Sequence, residues 1–138
     1  MITPFKSVSI SYRSAPLTIR EMVALSEEES RAFTLKCKDL FGLQELLIVS
    51  TCNRTELYFT SQESISNDLI KALLIEKGLM NTADYVHYFV QMDETNDSLK
   101  HLFEVATGLQ SKVVGDLQIP NQIKKAYQLA ADLNMAGP

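Results

Sequence analysis

The chain has 138 residues, of which 46% are apolar and 22% charged, the composition of an ordinary globular domain. A chain of this length buries roughly two thirds of its unfolded surface, so it needs no disulfide or metal staple. The net charge is -4 and no basic run exceeds the pair Lys124-Lys125, which argues against a broad phosphate-gripping surface. Apolar stretches are short, and Met1 to Ser11 has neither a charged n-region nor a long h-region, so membrane-span and secretory readings fail and a cytoplasmic protein is expected.

Phe5 to Ser11 alternates Phe5, Ser7 and Ser9 against Val8 and Ile10, which predicts a strand, and Tyr12 to Pro16 reads as a turn. Thr18 with Glu21 looks like a capping box opening a short helix, and Ser26 with Glu29 like a second one opening a longer helix. In the longer helix Phe33, Cys37, Leu40 and Phe41 form an apolar stripe that stops at Gly42, a C′ residue. Residues 43 to 50 and 54 to 61 are strand-like and flank Thr51, Cys52 and Asn53, a length suited to a β-hairpin with Cys52 at its tip. Four successive apolar residues, Leu46 to Val49, require cover on both faces of the first of these strands.

Ser64 to Lys77 carries apolar residues at 65, 69, 70, 73 and 74, a helix closed by Gly78, and Tyr85 to Val90 is strand-like again. The order strand, helix, strand, strand, helix, strand is βαββαβ, the α+β split βαβ pattern of ferredoxin-like folds. Asn96 is a good N-cap for a helix over residues 97 to 107, with Leu99, Leu102, Phe103 and Ala106 on its buried face and Gly108 at its end. Asp116 can cap a last helix, with Pro120 in or near the first turn and Ile123, Ala126, Tyr127 and Ala130 as its stripe. The chain thus divides into a ferredoxin-like subdomain over 1–95 that carries the hairpin and a helical segment over 96–138 that covers the sheet's second face. Met135 to Pro138 offers no closing element, as expected of a piece of a longer protein.

Cys37 and Cys52 form no C-x-x-C, His87 and His101 no H-x-x-x-H, and the glycines at 42, 78, 108, 115 and 137 do not spell G-x-G-x-x-G. Zinc-site spacing and a nucleotide-binding loop are therefore absent from the sequence. Cys37, within an apolar stripe, reads as core filler. Ser50 to Glu56 is different, because it packs seven polar or ionisable residues between two strands where a hairpin needs only a glycine or asparagine. If extended geometry continues, Cys52 and Arg54 point the same way, and a guanidinium near a thiol favours the nucleophilic thiolate. Arg54 could instead clamp a substrate carboxylate, and a polar hairpin with an incidental cysteine stands as the plain alternative. His101, at the border of its helix stripe, fits either a cleft or a satisfied surface position, whereas His87, among apolar strand neighbours, reads as structural. Gly108 to Ser111 and Gly115 to Gln118 form a glycine-bracketed connection followed by a helix N-terminus whose free N-H groups suit a carboxylate or an oxyanion.

Taken together, STCNRTELY, preceded by SYRSAPLTIRE and followed by HLFEVATGLQSKVVGDLQI and QIKKAY, resembles the N-terminal catalytic domain of the glutamyl-tRNA reductase family. The resemblance covers nearly the whole chain, and its cysteine motif and GLxS...QI block are two independent matches. It implies an NADPH-dependent reductase that converts glutamyl-tRNA to glutamate-1-semialdehyde through a cysteine thioester, the first step of tetrapyrrole (porphyrin) biosynthesis from glutamate. Cys52 would be the nucleophile and His101 a histidine important for activity, while Thr51, Asn53, Arg54, Ser111, Asp116, Leu117, Gln118 and Gln122 would line the glutamate pocket. NADPH would be held by a domain outside these residues, so the chain alone would be limited to acyl transfer or ester hydrolysis. The resemblance further implies glutamyl-tRNA and glutamate-1-semialdehyde aminomutase as partners, a homodimer for the full-length protein, and no membrane. Tyr12 stands where the family has a histidine, Asp116 where it has a glutamate and Leu117 where it has a proline.

Two other readings belong to different classes. A ferredoxin-like sheet can serve as a regulatory amino-acid-binding module, although such a sensor has no use for a reactive thiol at its pocket. A thiol redox protein would need a resolving cysteine near Cys52, which the sequence lacks.

Overall fold

The computed structural model describes residues 3–106 together with Gln128, Ala131, Leu133 and Met135. Chain order runs β1 (Phe5–Ser11), α1 (Leu17–Val23), α2 (Glu27–Phe41), β2 (Leu46–Ser50), β3 (Arg54–Thr60), α3 (Ser66–Glu76), β4 (Val90–Met92) and α4 (Thr95–Ala106). The strands form one antiparallel sheet in the order β2-β3-β1-β4. β3 lies between β1 and β2, and β1 between β3 and β4, so each strand-helix-strand unit is split by a strand of the other, as the βαββαβ pattern predicts. Among the described residues no helix is long and apolar enough to cross a membrane.

Period-two alternation gives the sheet two unlike faces. Val8 and Ile10 of β1, Leu57 and Phe59 of β3, and Leu46 and Ile48 of β2 point to one side, where Phe33 and Cys37 of α2 and Leu69, Ile70, Leu73 and Leu74 of α3 complete the apolar core. The other side carries Ser7 and Ser9 opposite Tyr58 and Glu56, with Arg54 at the end of the row, and α4 lies over it. Val49 of β2 packs there with Tyr58, Leu47 and Leu102, so β2 is covered on both faces as its unbroken apolar run requires.

Caps at both ends explain where α2 begins and ends. Ser26 accepts from Glu29 N-H while Glu29 Oε1 accepts from Ser26 N-H at 3.0 Å, a complete capping box. Gly42 ends α2 in the left-handed region at φ 62°, donating to Lys38 O, which a side chain would strain. Thr18 forms no such box. α1 starts two residues earlier than a Thr18 cap implies, after an extended Pro16 whose carbonyl accepts from Ile19 and Arg20, so Thr18 falls inside the first turn.

Three further expectations are corrected. Leu40 is 69% exposed, and the buried face of α2 is Ser30, Phe33, Thr34 and Cys37. Residues 85 to 88 are not strand: 3-10 turns occupy Thr82–Asp84 and Val86–Tyr88, and β4 begins only at Val90, where Ser9 of β1 sets the register. Tyr85, Val86 and Tyr88 pack against the core from these turns, so burial overrides their β-propensity, and His87 is exposed beside Tyr88. α4 begins at Thr95, not after Asn96, and Thr95 Oγ1 accepts from Phe5 N-H at 3.0 Å. Most of the last expected helix lies outside the described residues.

Lys36 pairs with Glu76, and Lys77 Nζ donates to Glu29 Oε2 at 2.6 Å, so two ion pairs tie α2 to the end of α3. The hydrogen bond from Lys77 and that from the Ser26 backbone hold Glu29 below its ordinary value of 4.5. A carboxyl lowered in the folded state adds stability that is complete above its unfolded value and is lost as the pH falls through the folded one. Urea midpoints between about pH 3 and pH 7 should therefore fall on the acid side, with a shallower fall for Glu29→Gln.

Candidate active site

β3 turns back from β2 over Thr51, Cys52, Asn53 and Arg54, and Thr51 N-H donates to Arg54 O at 2.7 Å. The turn has no glycine and is held by two donors from outside and by one side-chain bond of its own. Tyr12 N-H donates to Asn53 O at 2.9 Å, Arg20 Nη1 to Cys52 O at 3.2 Å, and Asn53 N-H to Thr51 Oγ1 at 3.2 Å. Cys52 is exposed at the crest. Residues 52 and 53 are bends between β2 and β3, so the extended geometry that would point Cys52 and Arg54 the same way is interrupted. Cys52 faces solvent, and Arg54 is only 2% exposed.

Below the turn, the polar face of β3 presents Arg54, Glu56 and Tyr58 in a row with period two. Glu56, fully enclosed, accepts from Tyr58 Oη at Oε1 (2.8 Å), lies 2.6 Å from His101 Nε2 at Oε2, and has Arg54 Nη1 at 3.6 Å from that oxygen. This contact engages His101 through Nε2, so Nδ1 is the ring nitrogen that Glu56 does not touch. Burial first, and the neighbouring Glu56 second, push the Tyr58 phenol far above its ordinary range, so it stays protonated and donates. Arg54 also lies beneath the Tyr12 ring, with its guanidinium carbon 6.0 Å from the ring centroid. Tyr58 stacks on Phe5 at 5.9 Å and approaches the His101 ring at 6.3 Å.

α4 brings His101 to this cluster with a face the apolar pattern did not indicate. Ser98 and Val105 are buried, whereas Leu99 and Phe103, expected inside, are 49% and 72% exposed. Ser98 Oγ donates to Met92 O at 2.9 Å and lies 3.3 Å from Ser7 Oγ, and His101 and Leu102, three and four residues on, share its face. The helix sits on a polar sheet face, so the face that satisfies serines and a carboxylate wins over the most apolar one.

Of the residues singled out from sequence, Cys52, Thr51, Asn53 and Arg54 form the turn and its first strand residue, and His101 joins them through Glu56. Ser111, Asp116, Leu117, Gln118 and Gln122 lie outside the described residues. Three contributors were not assigned a role in advance: Glu56, Tyr58 and Arg20. Glu56 and Tyr58 follow Arg54 at strand spacing, a signal that was available, whereas nothing in the pattern of α1 marks Arg20 as buried.

The fold and this arrangement define a split βαβ domain that presents an accessible thiol at the end of a strand bearing a buried guanidinium, carboxylate and phenol, with an imidazole joined from a helix. Residues 8–138 match the family described as "Glutamyl-tRNAGlu reductase, N-terminal domain". The chain is 55% identical over 138 residues to a glutamyl-tRNA reductase of Cytophaga hutchinsonii, covering 100% of the chain and 32% of that protein. It is 36% identical over 133 residues to one of Chlorobaculum parvum, covering 95% of the chain and 31% of that protein. The solved structure of glutamyl-tRNA reductase from Methanopyrus kandleri superposes with a TM-score of 0.76 at 26% identity, over 99% of this chain and 30% of that one. The chain belongs to the glutamyl-tRNA reductase N-terminal domain family. It spans about a third of the length of these relatives.

Burial pushes the Cys37 thiol up to about 12, with Glu76 adding to the effect, so Cys37 stays a protonated core residue. Iodoacetamide on the native chain should label Cys52 and leave Cys37 unmodified, as peptide mapping would show; labelling of Cys37 first would contradict the assignment. Glu56→Ala would remove the buried carboxylate that engages Tyr58 and His101 and lies 3.6 Å from Arg54, and should destabilise the fold by about 3 to 5 kcal/mol in urea unfolding.

Proposed function

We propose that this chain is the acyl-transfer part of a glutamyl-tRNA reductase and that Cys52 takes the glutamyl group from the tRNA ester. The observation that supports this most is the pairing of an exposed cysteine on a clamped turn with the Arg54, Glu56 and His101 cluster at the base of the same strand. In the step itself, Cys52 Sγ attacks the ester carbonyl, the carbon-sulfur bond forms and the carbon-oxygen bond to the ribose breaks. The thiol proton goes to the departing ribose oxygen through His101 Nδ1 or through water. Aminoacyl esters are activated, so the step asks little acid catalysis of the protein.

Glu56 orients the His101 ring through its contact with Nε2, the role a carboxylate plays beside a catalytic imidazole. Arg54 supplies the positive charge that a glutamate carboxylate would seek, together with Thr51, Asn53, Ser111, Asp116, Leu117, Gln118 and Gln122 as the remaining wall of the pocket. On this reading residues 1–95 carry the nucleophile and residues 96–138 complete the pocket. The described residues do not fit a dinucleotide, since every adjacent strand pair is antiparallel and no glycine-rich strand-turn-helix is formed. Hydride for reduction of the thioester to the semialdehyde is what NADPH supplies in the whole reductase, and its place is proposed to be outside this chain. A homodimer, a cytoplasmic location and delivery of the semialdehyde to an aminomutase belong to the same proposal.

Mixing the chain with Glu-tRNA should give an intact-mass increment of one glutamyl group, or loss of the tRNA ester faster than with Cys52→Ser, and no aldehyde even when NADPH is added. Equal deacylation by the parent and Cys52→Ser, with neither carrying an adduct, would favour the amino-acid-binding module instead.

A further inference from the structure

α1 is a short helix with only two buried residues, Val23 and Arg20. Val23 joins the apolar core, but Arg20 is 9% exposed and spends Nη1 on a backbone carbonyl 32 positions away, that of Cys52, at 3.2 Å. Its Nε is enclosed and has no hydrogen-bond partner among the described residues. Burying a guanidinium carries a desolvation penalty that a neutral donor to the same carbonyl would avoid. Turn-holding alone does not call for this residue.

The consequence of the contact is directional. Tyr12 N-H fixes the carbonyl of Asn53 and Arg20 fixes that of Cys52, so the two peptide planes on the carboxyl side of the thiol-bearing residue are set from outside the turn. Setting those planes constrains the Cα-Cβ direction of Cys52, in a turn whose own bonds are Thr51 N-H to Arg54 O and Asn53 N-H to Thr51 Oγ1. An exposed cysteine would otherwise sample many orientations, and a nucleophile displaced by about 1 Å loses on the order of 100-fold in rate.

We infer that Arg20 is a positioning residue for the Cys52 thiol, acting through the Cys52 carbonyl and not through contact with substrate. This inference rests on the acyl-transfer reading above. Arg20→Gln keeps a neutral donor but shortens it, and Arg20→Lys keeps charge and one donor without the planar fork.

The test is single-turnover transfer from Glu-tRNA to the chain in excess, for the parent, Arg20→Lys and Arg20→Gln, with iodoacetamide labelling in parallel. The saturating rate should fall about tenfold for Gln and roughly two- to threefold for Lys, with half-saturation within about twofold of the parent. A residue that only supports the fold would lower the unfolding midpoint and leave the saturating rate unchanged. If the Gln variant labels at Cys37 its core has opened, and Arg20→Lys then decides: a reduced saturating rate supports the role and an unchanged one overturns it. Equal rates in the parent and in both folded variants overturn the role while leaving the transfer reading intact. A parent that shows no Cys52-dependent transfer overturns the transfer reading itself.

Discussion

Glu56 is the group on which the polar half of the molecule is organised. A fully enclosed carboxylate is stable only if its oxygens are engaged, and each is: one by Tyr58, the other by His101 with Arg54 near it. These partners come from one strand and one helix, so satisfying a single buried charge fixes how α4 sits on the sheet. Ser98 adds two hydroxyl contacts three residues before His101, which is why α4 turns its serine and histidine inward and leaves Leu99 and Phe103 outside. The apolar face of the sheet is held by non-directional packing, and the polar face by a few directional bonds.

That contrast decides how much of the fold was legible in the sequence. Where burial is hydrophobic, period and capping are the better guides: Ile65 and the α3 residues 69, 70, 73 and 74 are all buried, the Ser26 box closes, and Gly42 ends its helix in the left-handed region, although Leu40 is exposed and the Thr18 box does not form. Where polar satisfaction outranks hydrophobicity the pattern misleads, as with α4, because a helix reads as facing inward on its most apolar side. The segment over 85 to 88 misleads for another reason. Its aromatic residues have β-propensity, but the register on β1 is taken by Val90–Met92, and the rings serve the core from 3-10 turns.

The candidate site was legible as composition before it was legible as geometry. Seven polar residues from Ser50 to Glu56 mark a turn with more to do than reverse the chain, and the resemblance to the reductase family named Cys52, Arg54 and His101. The burial of Arg54 and Glu56, and the contact of Glu56 with His101 across 45 residues of sequence, are properties of the tertiary structure alone. Arg20 was beyond reach for the same reason: a basic residue in the last turn of a short helix is an ordinary helix-dipole partner until the Cys52 carbonyl is seen beside it.

The two sulfurs occupy different media, one sealed among Phe33, Leu73 and the other core side chains, the other in water at the crest of a turn. Because the chain has no third cysteine, an oxidant that reaches Cys52 finds no neighbouring thiol to trap the sulfenic acid as an internal disulfide. With no such partner within these residues, the sulfenic acid is rescued by a mixed disulfide with a thiol from elsewhere or goes on irreversibly to sulfinate. Separating a reactive sulfur from an inert one therefore protects the core and leaves the surface thiol dependent on the reducing capacity of its surroundings.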